Sequence, residues 1–230
     1  MKTIGLIGGI TPQSTVLYYQ IMNELANNRF GGVHSCKTLI HSFDFGEISE
    51  LQAQDDWDRL DFLMKEAAVG LQRAGAELLI ICANTMHLSI AAVRDVVAIP
   101  VIHIAEATLI KVNEKGMDKV ALLGTKYTME KDFFKDVLKS NGIDTIIPDQ
   151  SERNKIHDVI YTELAKGVIN NTSKLVYLQI IEKLIAEGAK GIILGCTEIP
   201  LLIKQEDVSV PIFDTTAIHA KAAFDMAISN

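Results

Sequence analysis

Cys196-Thr197-Glu198 stands directly after the run Gly191-Ile192-Ile193-Leu194-Gly195, so a thiol, a hydroxyl and a carboxylate arrive together where an apolar stretch ends. A cysteine placed there, just before a turn rich in N–H groups, can have its pKa lowered from the usual value of about 8.5 and act as a base. Thr197 adds a hydroxyl able to orient a substrate carboxylate or to hydrogen-bond a thiolate. A small buried hydrophobe is the commoner fate of a cysteine in such a run. Cys82-Ala83-Asn84-Thr85-Met86-His87 is a second segment of the same kind. Asn84 and Thr85 are short polar residues suited to an α-carboxylate or amino group, and His87 either orients a neighbour or caps a helix. Gly8-Gly9-Ile10-Thr11-Pro12-Gln13-Ser14-Thr15 is the third. Its glycines allow a sharp turn, Thr11 can N-cap and Pro12 suits the first helical position. Exposed N–H groups and the helix dipole would seat an anion there, although a tight turn without ligand accounts for the segment equally well. Its spacing is neither a dinucleotide fingerprint nor a Walker loop.

The elements that must carry these residues are short apolar runs alternating with longer helical patterns. Strands are expected at 2–8, 36–43, 77–83, 100–104, 119–124, 143–147, 190–196 and 210–213. Helices are expected at about 12–28, 56–74, 104–116, 128–140, 152–166, 173–187 and 216–228. Such alternation predicts βαβ units, parallel sheets and an α/β fold. The order is also written twice. Ala-Gly-Ala-Glu-Leu-Leu-Ile-Ile-Cys-Ala at 74–83 parallels Glu-Gly-Ala-Lys-Gly-Ile-Ile-Leu-Gly-Cys at 187–196. Each is preceded by an amphipathic helix with a capping glycine, Gly75 or Gly188, and followed by an Ile/Val-Pro strand. Ile4–Gly8 likewise matches Val120–Gly124. The gap-free offset of 113 residues between the glycines sets Ala83 opposite Cys196. Two such halves are expected to face each other across a cleft, with ligand beyond the carboxyl ends of the strands. That directs attention to Gly8–Thr15, Cys82–His87, Gly124–Thr128 and Cys196–Glu198.

Composition narrows the function classes. Hydrophobic residues make up 48% of 230 and aromatics only 6%, which suits a buried parallel sheet. A net charge of −7 with mixed signs, and no basic stripe, argue against a nucleic-acid partner. Three scattered cysteines, Cys36, Cys82 and Cys196, do not make a disulfide framework and fit a reducing cytosol. Cys36 is read as a core residue inside the second strand. The N-terminal apolar run is too short for a signal peptide or a membrane span. The other histidines (His34, His41, His103, His157, His219) lack metal-ligand spacing, so no metal is expected.

Taken together, Gly-Gly-x-x-x-x-Ser-Thr after the first strand, Asn-Thr-x-His after the third and Gly-Cys-Thr-Glu near the C-terminus resemble the aspartate/glutamate racemase family. The resemblance covers the whole chain in order. It implies two pseudo-twofold-related, doubly wound parallel-sheet domains with the active site between them, here 1–104 with 214–230, and 105–213. It further implies a homodimer, a small-molecule amino-acid substrate and no cofactor. Inverting Cα needs a base on one face and an acid on the other, and in the family two cysteines, one from each half, fill these roles. Hydrogen bonds to the substrate carboxylate stabilise the carbanionic transition state. Carried onto this chain, the catalytic residue is Cys196. Substrate contacts fall on Gly9, Ile10, Ser14 and Thr15, on Asn84 and Thr85, on Thr125 and Thr128, and on Thr197 and Glu198.

The chain departs from the family pattern in two places. The residue before Asn-Thr, usually cysteine, is Ala83, and Cys82 lies one position earlier, where strand alternation aims it at the other face. Ala83 has no proton to give, which questions a symmetric two-thiol mechanism. The region Phe43–Ile48 lacks the arginine many aspartate racemases carry, and Lys166 is displaced by one residue after Ile160-Tyr161. Gln52, with Tyr161, could instead hold a wider polar side chain such as that of glutamate or homoserine. Racemisation is therefore expected. One-thiol decarboxylation or elimination on the same scaffold, or an amino-acid-binding protein that has lost turnover, are the alternatives.

Overall fold

In the computed structural model, which describes residues 1–229, the first apolar run becomes strand β1 (Ile4–Gly8), buried along its whole length. Helix α1 (Pro12–Phe30) begins where Thr11 accepts from the Ser14 N–H and Pro12 enters the first turn. β2 (Thr38–Ser42), α2 (Phe45–Ala53), α3 (Trp57–Arg73) and β3 (Leu78–Ile81) follow. A 3₁₀ turn (Thr85–Ser89) then leads into the short α4 (Ile90–Arg94). The parallel sheet runs β2-β1-β3, extended past β3 by a single bridge between Leu79 and Val101. The expected strand at 100–104 is reduced to that bridge: Leu79 N–H donates to Pro100 O and Ile102 N–H to Leu79 O, and the next helix already begins at Ile104. Cys36 is buried but lies before β2, its N–H donating to Asn23 Oδ1, so its placement inside a strand is corrected.

The chain divides into two units. One comprises residues 1–103 and the chain from His219 onward; the other is 104–218. The second unit holds α5 (Ile104–Glu114), β4 (Lys119–Gly124), α6 (Lys126–Glu130), α7 (Asp132–Lys139) and β5 (Asp144–Ile146). It continues with α8 (Gln150–Thr162), α9 (Asn171–Ala186), β6 (Ile192–Gly195), α10 (Ile199–Leu202) and β7 (Ile212–Asp214), and α11 (Thr215–Ile228) carries the chain back to the first unit. Its parallel sheet is ordered β5-β4-β6-β7. The expected helix at 128–140 is two helices, broken at Lys131, and α2, α4 and α10 had no counterpart in the periodicity.

Both faces of the second sheet are covered. Ala121, Leu123, Ile192 and Leu194 pack with Ile156, Tyr177 and Ile181 on one side. Val120, Leu122 and Ile193 pack with Ile104, Phe134 and Leu138 on the other. Strands buried on both faces read as unbroken apolar runs, which is why Leu78–Ile81 and Ile192–Leu194 show no alternation. In the first unit, Ile7, Leu79 and Ile81 pack against Leu60, Met64 and Leu71 of α3.

The repeat seen in the sequence reappears in the strand order and in the backbone. With Val101 counted, both units place strands in the order second, first, third, fourth. Gly75 and Gly188 have φ of 101° and 100°, a left-handed turn that ends the preceding helix and that side-chain-bearing residues rarely adopt.

Candidate active site

β1 pairs with β3 through Gly5↔Leu79 and Ile7↔Ile81, and β4 pairs with β6 through Ala121↔Ile192 and Leu123↔Leu194. The ladder goes one step further in each unit: the Cys82 N–H donates to Ile7 O at 2.8 Å, and Gly124 faces Gly195. Cys82 thus occupies the register of Gly195, and Ala83 that of Cys196. The pleat agrees. Ala83 shares a face with Leu79 and Ile81, Cys196 shares one with Ile192 and Leu194, and Cys82 falls on the opposite face. Cys82 is fully buried, and burial pushes its thiol above the ordinary range.

Close approach of β4 and β6 at this end depends on glycine. A Cβ on Gly124 would meet Gly195 O and Thr128, and one on Gly195 would meet Thr128 and Leu122. Cys196 therefore leaves the sheet from a backbone that can lie flat against its neighbour. Its Sγ donates to Glu198 Oε2 at 2.8 Å, and Thr197 Oγ1 donates to the same oxygen at 2.7 Å. None of the three is more than 8% exposed. Burial first, then the facing Glu198 carboxylate, hold the Cys196 thiol well above its usual value, while the N–H groups of Glu198 and Ile199 pull it down without prevailing. The lowered pKa expected from the N–H-rich turn is thereby overturned. The turn supplies its N–H groups, but a carboxylate two residues on opposes them. The resting group is a thiol hydrogen-bonded to the Glu198 carboxylate.

Aromatic rings surround this cluster within the second unit. Burial raises the phenols of both Tyr161 and Tyr177. Tyr177 is fixed by donating to Ile156 O at 3.0 Å, and Tyr161 packs on His157 with ring centroids 4.5 Å apart. His157 Nδ1 accepts the Lys126 N–H at 3.3 Å, which ties it to the start of α6. Sequence reasoning missed Tyr177 and His157, because each sits mid-helix among residues of ordinary helical spacing. Asp214 was missed too, although its place between a strand and a helix is the mark of a cap. It accepts the N–H groups of Thr216 and Ala217, and its burial raises its pKa.

The remaining expected residues lie at the same end of their sheets. Gly9 N–H donates to Thr15 Oγ1 at 2.8 Å, and Ser14 Oγ donates to Cys82 O at 2.6 Å, so the turn after β1 is stitched to the end of β3. Thr125 Oγ1 and Thr128 Oγ1 are 3.2 Å apart in the matching turn of the second unit. Ile10, Asn84 and Thr85 are buried, as is Gln52, whose Nε2 lies 3.2 Å from Met86 Sδ. Lys166 is exposed. Among the described residues, no cluster of histidine, cysteine and carboxylate side chains is arranged to hold a metal, and no helix is long and apolar enough to cross a membrane.

Two parallel sheets whose matching strand ends present polar turns, one with a buried thiol–carboxylate pair, also match known proteins. The family model for Asp/Glu/hydantoin racemases matches residues 7–223. The chain belongs to that family. Racemases are isomerases, and this one is similar over its whole length to solved members. An Asp/Glu racemase candidate from Yersinia pestis is 46% identical with a TM-score of 0.94, each chain covered completely. An aspartate racemase homologue from Pyrococcus horikoshii OT3 is 39% identical with a TM-score of 0.88, again over 100% of both chains. Among curated proteins, the broad specificity amino-acid racemase RacX of Bacillus subtilis (strain 168) is 23% identical across 95% of each chain. In this racemase the strand-end cysteine of the second unit is present, and the matching place in the first is alanine.

Proposed function

We propose that this racemase moves the Cα proton of a polar amino acid, of the aspartate or glutamate type, without a cofactor, and that Cys196 carries that proton. The observation that supports this most directly is the buried Cys196 thiol donating to the Glu198 carboxylate at 2.8 Å. Glu198 takes the thiol proton, the thiolate so formed removes the Cα proton, and the electron pair moves into the substrate carboxylate as an enediolate. Thr197, bound to the same Glu198 oxygen, keeps the carboxylate turned toward sulfur. Asn84 and Thr85 are the proposed contacts for the α-carboxylate, and Gln52 for the side chain. Free thiols at all three cysteines suit a reducing, cytosolic setting.

The test is Cα exchange in D₂O with each enantiomer of aspartate, glutamate and homoserine. Deuterium should enter Cα of at least one, with inversion slower than exchange, because Cys196 serves only one face. Absence of exchange from all of them would overturn the assignment. Ala83 favours a second reading, in which Cys196 alone protonates or deprotonates during decarboxylation or elimination. Release of carbon dioxide or ammonia in the same tubes would decide for it.

A pair of variants tests the role of Ala83. Restoring sulfur with Ala83→Cys is expected to raise two-way racemisation roughly tenfold or more, since a positioned acid or base is typically worth that and above. Cys82→Ala should change little beyond a modest loss of packing. The reverse pattern, with Cys82→Ala inactive and Ala83→Cys neutral, would make Cys82 the second base.

A further inference from the structure

We infer that His87 is a positioning residue for the turn that carries Ala83, Asn84 and Thr85, an assignment that rests on the proposed racemase reading. β3 ends at Ile81, so the carbonyls that follow have left the ladder. Two in succession are held by side chains instead. Cys82 O accepts from Ser14 Oγ at 2.6 Å, and Ala83 O is bonded to His87 Nδ1 at 2.9 Å. A carbonyl only accepts, so His87 carries its proton on Nδ1. Burial, with His103 facing it, lowers the His87 pKa well below the usual value and keeps the ring neutral.

The ring is clamped from behind. His87 is fully buried, with the His103 and His219 ring centroids at 5.0 Å and 5.3 Å. His219 is itself fixed at both nitrogens: Nε2 bonds Ile102 O at 2.9 Å, and Nδ1 bonds Tyr18 Oη at the same distance. Because Ile102 O must accept, His219 donates from Nε2 and receives the Tyr18 hydroxyl proton at Nδ1. The 3₁₀ turn, the segment after Val101, α1 and α11 thus converge on one imidazole.

The second unit shows that this device is not a requirement of the turn. The 113-residue offset sets Pro200 where His87 stands, and proline has no donor to offer. There the Glu198 side chain gathers Cys196 and Thr197. Where the thiol and carboxylate are absent, an imidazole does the holding. Fixing the Ala83 peptide plane fixes the direction in which Asn84 and Thr85 are presented, so losing the bond should weaken substrate binding more than the chemical step.

The experiment compares His87→Phe, which keeps the ring and loses the donor, with His87→Asn, whose amide nitrogen can take the place of Nδ1. L-Glutamate and L-aspartate are the probes, with melting temperature measured alongside. We expect His87→Phe to raise KM roughly tenfold, the usual scale for a lost buried hydrogen bond, with kcat within about threefold. His87→Asn should stay near wild type in both despite filling less space. Purely structural packing demands the opposite order, Phe tolerated and Asn harmful, and that order would overturn the inference. Should the wild type turn over neither probe, the racemase reading is what fails for them, and amide exchange at Asn84 and Thr85 still tests the positioning. Faster exchange in His87→Phe but not in His87→Asn supports it; equal exchange rejects it. Long-range ¹H–¹⁵N spectra of the wild type give a check independent of both variants. His87 in any state other than the neutral Nδ1–H tautomer would overturn the inference.

Discussion

Cys196→Ser is expected to lower Cα exchange by about 10²–10⁴-fold, the range seen when a positioned acid or base is removed. Serine is close to isosteric and can still donate to Glu198, so the fold and the hydrogen bond survive while the acid strength changes. An alcohol is a far weaker acid than a thiol, and Glu198 cannot ionise it usefully. Glu198→Gln is the complementary change. Its amide oxygen can still accept from sulfur, yet it cannot take the proton away, so exchange should fall by a similar order with the melting temperature nearly constant. Exchange rates for both variants, with circular dichroism to confirm folding, supply the measurement. A Cys196→Ser protein that keeps most of its activity would remove Cys196 from the mechanism.

Acid should unfold this protein early, starting in the first unit. His87, His103 and His219 are buried together beside Tyr18 and the Arg94 guanidinium, which donates to Val101 O. Burial, with Arg94 and His219 nearby, lowers His103 to about 4, and burial with His87 nearby lowers His219 to about 3. The sign follows from which state binds protons. Between about pH 6.5 and 3 the unfolded chain protonates these rings and the folded chain does not, so stability is complete above that window and falls as pH drops through it. His103 alone costs on the order of 3 kcal/mol by pH 4, against total stabilities of about 5–15 kcal/mol for ordinary domains. Hydrogen exchange between pH 7 and 4 should show protection lost first at Tyr18, Ile102 and His219, while the β4 and β6 amides persist. His103→Gln, which cannot take up the proton, should shift the midpoint to lower pH. Uniform protection down to pH 3.5 would refute the prediction.

Much of the architecture was readable because it depends on local signals. The capping glycines Gly75 and Gly188, the Pro12 helix start and the apolar strands all act through a few neighbouring residues. The helices that went unseen are short ones, α2 of nine residues, α4 of five and α10 of four, in which few turns are available to show a period. α2 begins at the cap Asp44 in a stretch to which no element was assigned, and α10 is one turn around Pro200. The candidate site divides in the same way. Cys196, Thr197 and Glu198 are adjacent in sequence and could be found together. That Glu198 turns back onto sulfur, adding to burial in raising the thiol pKa, depends on a side-chain direction that no spacing rule contains. The His87, His103 and His219 grouping joins residues up to 132 positions apart, through contacts the primary structure does not announce.

The return of α11 to the first unit has a consequence for how the protein is made. Residues 104–218 are contiguous, so this unit can close as soon as it has left the ribosome. The first unit is completed only at the end, although its sheet is synthesised earlier. Its His219 clasp on Ile102 and Tyr18, and the Lys2 N–H bond to Ala227 O at 2.8 Å, form only when the last helix emerges. The nascent chain therefore holds all strands of its N-terminal sheet long before the helix that ties His219 and Ala227 to them has been made.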